Sequence, residues 1–168
     1  MSQDNNGVVS NGGQYLSFTL GGEEYGVEIL KVQEIRGWEP VRPLPNSPEH
    51  VKGVLDLRGV IVPIIDMRGR FGLEEREYTP TTVIIVLSAE HEGSRHVVGA
   101  VVDAVSDVLD VKLDEVRSPP NLGGHISNRY MIGMVSREGR MVVLLDTDKL
   151  FNPEELGVAE HEDGEGDC

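Results

Sequence analysis

Cysteine is nearly absent: the only one is Cys168, the last residue, so an intrachain disulfide and a cysteine-rich metal site are excluded. Long apolar runs are missing as well, none approaching the ~20 residues of a membrane-spanning helix. The first residues, rich in Asn, Gly and Ser, lack the basic start and apolar stretch of a secretion signal. A cytoplasmic protein is therefore expected. Positive charge is scarce, with 15 Lys and Arg against 29 Asp and Glu and a net charge of -14. Seven acids between Glu154 and Asp167 follow Pro153 with no base among them, so the tail holds half of that charge. A body still negative repels phosphate backbones and anionic lipid, which argues against nucleic-acid partners and direct membrane docking and leaves proteins as partners. The five histidines, His50, His91, His96, His125 and His161, have no neighbour at helical spacing, so no metal site is expected. Gly69, Gly72, Gly123 and Gly124 lack the Lys-Ser/Thr context of a phosphate loop and read as turn glycines, so no cofactor is expected.

What is present is β-branched sequence broken by tight turns, with enough apolar content (39%) for a buried core. The organising stretch is Gly53 to Arg68, in which Asp56-Leu57-Arg58-Gly59 supplies a turn between two apolar runs, the second ending at Asp66. Pro63 lacks an N–H, so its strand is expected at a sheet edge or at a bulge. The stretch recurs 80 residues on: Gly53 matches Gly133, Gly59 matches Gly139, Ile64-Ile65-Asp66 matches Leu144-Leu145-Asp146, and Phe71 matches Phe151. With an offset of 73, Gly26 matches Gly99, Glu34 matches Asp107 and Ile35 matches Val108. The ungapped agreement indicates a duplicated unit.

Along the chain, residues 1–13 are expected to be disordered, and order begins at Gln14. Two apolar segments flank Gly21-Gly22 as a hairpin. Ile29 to Ile35 is compatible with a helical turn or an irregular strand. A proline-rich connection, Arg36 to Pro48, leads to the organising hairpin, and a polar linker, Glu74 to Pro80, to the second unit. There, segments 82–87 and 96–102 read as strands buried on both faces around a loop, 105–117 is mixed, and 118–124 is a long loop. A last hairpin precedes a short helix near Thr147 to Leu150. The fold class expected is mainly all-β, two small five-stranded barrels with one barrel per repeat and short helical segments. The domain spans 14–152, with halves about 14–73 and 81–151, followed by an acidic tail at 153–168. Asp66 and Asp146, equivalent carboxylates, are candidates for acid–base work or for turn capping, and their place at strand ends favours capping.

Gly26-Val27-Glu28-Ile29 with Val32, Glu34-Ile35-Arg36, then Gly53-Val54 with Leu57-Arg58-Gly59-Val60-Ile61, Pro63-Ile64-Ile65-Asp66 and Arg68, and Val97-Val98-Gly99 with Val102-Asp103 and Val105 to Leu109, together resemble the CheW family of bacterial chemotaxis coupling proteins. The resemblance covers about Gln14 to Phe151. It implies a non-enzymatic adaptor that joins the cytoplasmic helical hairpin of chemoreceptors to the regulatory domain of the histidine kinase CheA, associated with membrane receptor arrays only through those receptors. It also implies receptor-facing roles for Val32, Glu34, Gly53, Arg58, Val83 and Val108. One departure is Asp56, where the family more often has Asn. Alternatives are a CheW-like adaptor of another receptor–kinase system, such as surface motility, and a small enzyme using Asp66 or Asp146.

Overall fold

A computed structural model describes residues 12–45, 50–74, 77–118 and 128–152. Strands β1 (Gly12–Leu20) and β2 (Glu23–Glu28) form a hairpin, and a 3-10 turn at Ile29–Lys31 leads into β3 (Val32–Gly37). Strands β4 (Val51–Leu57) and β5 (Val60–Asp66) form the organising hairpin, ended by a short helix α1 (Met67–Arg70). The second half has β6 (Val83–His91), β7 (Ser94–Val102), β8 (Ala104–Lys112), β9 (Met131–Arg137), β10 (Arg140–Leu145) and α2 (Thr147–Leu150). The expected loop at 89–94 is thus only a turn at Glu92-Gly93, and the segment from 29 to 35 is both a helical turn and a strand. Gly12 and Gly13, placed in the disordered tail from sequence, pair with Lys112 and Val111 in β1. Residues 1–11, most of the long loop at 118–124 and the acidic tail lie outside the described residues.

One sheet runs β3-β6-β7-β5-β4 and the other β8-β1-β2-β10-β9. Exchanging each strand for the one five places away turns one order into the other. The duplication is visible even in register: β5 runs parallel to β7 with Ile64 opposite Gly99, and β10 parallel to β2 with Leu144 opposite Gly26. A Cβ on Gly99 would stand 2.6 Å from Ile64 Cδ1, so glycine is required for that approach. The correction to the sequence reading is that neither barrel belongs to one repeat. The crossovers after β2 and β7 carry the chain between sheets, so the first barrel joins β3, β4 and β5 to β6 and β7, and the second joins β8, β9 and β10 to β1 and β2.

In each barrel the chain after the edge strand wraps back to cover the opposite edge. Arg42 exchanges two backbone bonds with Val54 (3.0 and 2.9 Å), and Arg117 does so with Met134 (2.9 and 2.8 Å). Because both polar groups of Val54 face Arg42, its pairing with Pro63 is a non-hydrogen-bonded one, and the missing N–H of Pro63 costs the β4–β5 ladder nothing. The proline therefore sits in an internal strand, without the expected edge position.

The apolar runs face two cores at once. Ile64, Ile84 and Val101 fill the first barrel, and Val135, Val142 and Leu144 fill the second. Ile65, Ile85, Leu145, Leu150 and Phe151 belong to a larger core shared between the barrels. Adjacent Ile64 and Ile65 are both 0% exposed, as are Leu144 and Leu145. Each such side chain contributes ~1.5–3 kcal/mol by leaving water.

Two polar clasps flank the shared core. Arg68, on α1, donates to Asp103 through Nε (3.0 Å) and Nη2 (2.6 Å), and Gly21 N–H donates to the same carboxylate at 2.9 Å. Asp148, on α2, receives Lys31 Nζ at 3.0 and 3.3 Å and the Glu90 N–H at 2.9 Å. Arg68 and Asp148 are 80 residues apart, at the same repeat position with opposite charge.

Candidate functional site

The β4–β5 turn is built by Asp56, whose Oδ1 accepts the Gly59 N–H at 2.8 Å. Its carboxylate closes the turn. Arg58 takes the left-handed conformation (φ 54) before Gly59 (φ 89), a backbone that a non-glycine residue adopts at a cost of ~1–2 kcal/mol. Its side chain is 76% exposed and reaches back to β3, where Nη2 meets Glu34 Oε1 at 2.5 Å. Glu34 Oε2 receives Arg36 Nη1 at 2.8 Å, and Arg36 in turn holds Glu39 Oε2 at 2.6 Å. Four alternating charges thus run along one edge of the barrel. The bond from Arg58, then that from Arg36, keeps the Glu34 carboxyl below its ordinary range, and bonds to Glu39 and Glu34 push the Arg36 guanidinium up.

Exposed apolar side chains stand on the same elements: Ile35 on β3, and Val60 and Ile61 at the start of β5. An open groove of about 430 Å³ lies alongside, lined by Val41, Arg42, Leu55, Asp56 and Ile61.

Of the sequence-derived site residues, Glu34 and Arg58 are in direct contact. Val32 is half-buried on the same strand, packed against the shared core, and so is Val83 on β6, the strand β3 pairs with. Gly53 is buried (φ 151) where the Arg42–Pro43 backbone crosses it, and a Cβ there would lie 2.1 Å from the Arg42 carbonyl oxygen. It supports the wrapping segment and presents no side chain. Val108 is exposed on β8, in the other sheet, at the repeat position of Ile35. Sequence reasoning missed Glu39 and Ile61 as members of this face and gave Arg36 only as part of a motif; the alternation Glu34-x-Arg36 on a strand was the available signal.

The second barrel presents a different tip. Glu138 has the Arg58 position and conformation (φ 53), while the neighbouring Arg137 turns inward to the Asp110 carbonyl and to Glu115 Oε1 at 3.1 Å. The Lys112 N–H, then Arg137, hold the Glu115 carboxyl below its ordinary range.

Asp66 and Asp146 cap α1 and α2. Asp66 Oδ1 accepts the Arg68 N–H at 3.0 Å and Oδ2 accepts Tyr78 Oη at 2.7 Å, while Asp146 Oδ1 accepts the Lys149 N–H at 3.2 Å. Among the described residues there is no group of three or more His, Cys, Asp or Glu that could hold a metal, and no helix is long and apolar enough to cross a membrane.

A stiff β scaffold with a mixed charged and apolar face is a protein-binding module, two intertwined barrels that present a fixed surface. The CheW-like domain model matches residues 14–155, and the chain belongs to that family, as a chemotaxis adaptor protein. It is 44% identical over 150 residues to the chemotaxis protein CheW of Klebsiella aerogenes, covering 89% of this chain and 88% of that one. It is 39% identical over 152 residues to the chemotaxis protein CheW of Rhizobium meliloti, covering 90% and 96%. The crystal structure of the scaffolding protein TtCheW from Thermoanaerobacter tengcongensis superposes with a TM-score of 0.74 at 28% identity, covering 84% of this chain and 93% of that one.

Proposed function

We propose that this protein works in the cytoplasm as a non-enzymatic coupler. It joins the cytoplasmic helical hairpin of chemoreceptors to the regulatory domain of the histidine kinase CheA, and it meets the membrane only through receptor arrays. The observation that carries the reading is the Arg58–Glu34 pair, an exposed guanidinium fixed on a strained turn that runs straight into exposed Val60 and Ile61. An arginine so held loses little freedom on docking and offers forked bonds to carboxylates or helix-end carbonyls. Arg58, Glu34 and Val32 make the receptor contact, Gly53 sustains it by letting the Arg42 segment pass, and Val83 and Val108 extend it. The acidic candidates Asp66 and Asp146 are occupied as helix caps, which favours binding over catalysis. Calorimetric titration with a receptor cytoplasmic-tip fragment and, separately, with the CheA regulatory domain tests the reading: saturable binding of both supports it, and binding of neither refutes it.

A further inference from the structure

Of the described arginines that the fold buries at least in part, Arg36, Arg68 and Arg137 each hold a carboxylate: Glu34 at 2.8 Å, Asp103 at 2.6 Å and Glu115 at 3.1 Å. Arg70, half-buried at the end of α1, holds none among the described residues. Its hydrogen bond is a long one, from Nη2 to the Leu150 carbonyl at 3.4 Å, and its Nε is buried without a partner. A guanidinium taken out of water without an acceptor costs free energy, and in a chain of net charge -14 a carboxylate is the expected acceptor. The fold does not ask for this charge, since the repeat counterpart of Arg70 is Leu150, which is fully buried.

What Arg70 does touch is a ring. Its Cζ lies 5.0 Å from the centroid of Tyr130, and the Cζ of Arg129 lies 5.0 Å from the same centroid. Each cation is drawn to the ring, but two guanidiniums gathered on one ring repel each other. An anion that meets both turns that repulsion into attraction, and a guanidinium offers a carboxylate two parallel bonds. Arg129 is exposed, so the pair is reached from solvent on that side. Tyr130 is buried and its carbonyl accepts the Asp146 N–H at 2.9 Å, which anchors the residue that carries the ring.

We propose that Arg70, Tyr130 and Arg129 form a binding site for neighbouring carboxylates of an acidic peptide segment. The nearest source is the chain's own acidic run, because Glu154 and Glu155 follow within five residues of Leu150, whose carbonyl Arg70 already meets. Five residues of extended chain reach no farther than about 18 Å. Such tethering corresponds to an effective concentration on the order of millimolar. An acidic segment of a partner offers the same chemistry, and the test separates the two sources. The site shares no residue with the receptor-facing set and stands or falls independently of it.

The probe is a synthetic peptide with the sequence of residues 153–167, titrated by calorimetry into the full chain and into its double variant Glu154→Gln with Glu155→Gln. The same peptide is titrated into that double variant carrying either Arg70→Met or Arg129→Gln, and the Arg70 Nε–H resonance is followed by nitrogen-15 NMR. Arg129→Gln, at an exposed position, keeps the test decisive if Arg70→Met unfolds the chain. The double variant is expected to show a displaced Arg70 Nε–H resonance and to bind the peptide about tenfold more tightly than the wild type, since its own carboxylates no longer compete. Adding Arg70→Met or Arg129→Gln is expected to weaken the peptide about tenfold or more, the scale of a charge-assisted hydrogen bond. A wild type that binds the peptide as tightly as the double variant, with the Arg70 resonance moving on saturation, upholds the site and assigns it to a partner's acidic segment. Peptide binding indifferent to both arginine substitutions overturns the proposal. So does an Arg70 resonance that neither the glutamine substitutions nor saturating peptide moves.

Discussion

Arg58 and Glu34 meet at 2.5 Å across the edge of the first barrel, and Glu34 also holds Arg36, so the exposed arginine at the turn is already oriented before any partner arrives. The Glu34 carboxyl is held below its ordinary value of 4.5. A depressed carboxyl contributes above its unfolded value, and the contribution is lost only as pH falls through the folded one. The pair is therefore expected to persist unchanged from neutral pH down to the ordinary glutamate value and to open below it. Carbon-13 titration of Glu34 in the wild type and in Arg58→Ala checks this, with a higher midpoint in the variant.

The hairpin tips carry strain that the fold does not need. Glu92 and Glu138 share the left-handed conformation of Arg58, each just before a glycine. Glu138→Gly is expected to stabilise the protein by up to about 1 kcal/mol, the steric relief being partly offset by the greater freedom of the unfolded chain. Arg58→Gly is expected to keep the melting temperature while losing receptor-fragment binding. Thermal melts of the two variants decide it.

The Arg68–Asp103 clasp should respond unequally to its two deletions. Asp103→Ala leaves a guanidinium that is 9% exposed without its carboxylate, whereas Arg68→Met leaves a carboxylate that is one-third exposed and still bonded to Gly21 N–H. Asp103→Ala is expected to cost about 3–5 kcal/mol and Arg68→Met distinctly less. Denaturant unfolding of both variants measures the difference.

Ile65 and Leu145, equivalent in the two repeats and both 0% exposed, lie in the core shared by the barrels. Each truncation to Ala is expected to cost roughly 2–5 kcal/mol. Because the core is shared, both variants should unfold in a single cooperative transition. Separate melting of the two barrels would show that they are independent.

Much of this was legible from the residues. Glycine spacing exposed the duplication, Arg58-Gly59 marked its hairpin, and the placement of Asp66 and Asp146 at strand ends pointed to turn capping, which they perform as caps of α1 and α2. The intertwining was not legible, since matching Gly26 to Gly99 says which strands are equivalent and nothing about which strands pair. The continuous apolar runs at 82–87 and 96–102 announced burial on both faces without saying that the faces belong to different cores. The edge position expected for Pro63 was not found, because Val54 turns its backbone to Arg42, a contact made by a distant segment, while a register shift does lie beside it, between Val51 and Gly53 opposite Ile65 and Ile64. The link from Glu34 to Glu39 through Arg36 likewise depends on rotamers that alternation alone does not fix.

The most direct measurement compares Arg58→Ala with Glu138→Ala, each titrated separately with a receptor cytoplasmic-tip fragment and with the CheA regulatory domain. Arg58→Ala is expected to weaken the receptor fragment by about 1–3 kcal/mol, the scale of an interface hot spot, or roughly 5- to 150-fold. Kinase binding and the melting temperature should stay as in the wild type, and Glu138→Ala should leave the receptor fragment unaffected. Equal losses in the two variants, or loss of both partners together with a lowered melting temperature in Arg58→Ala, would contradict the account.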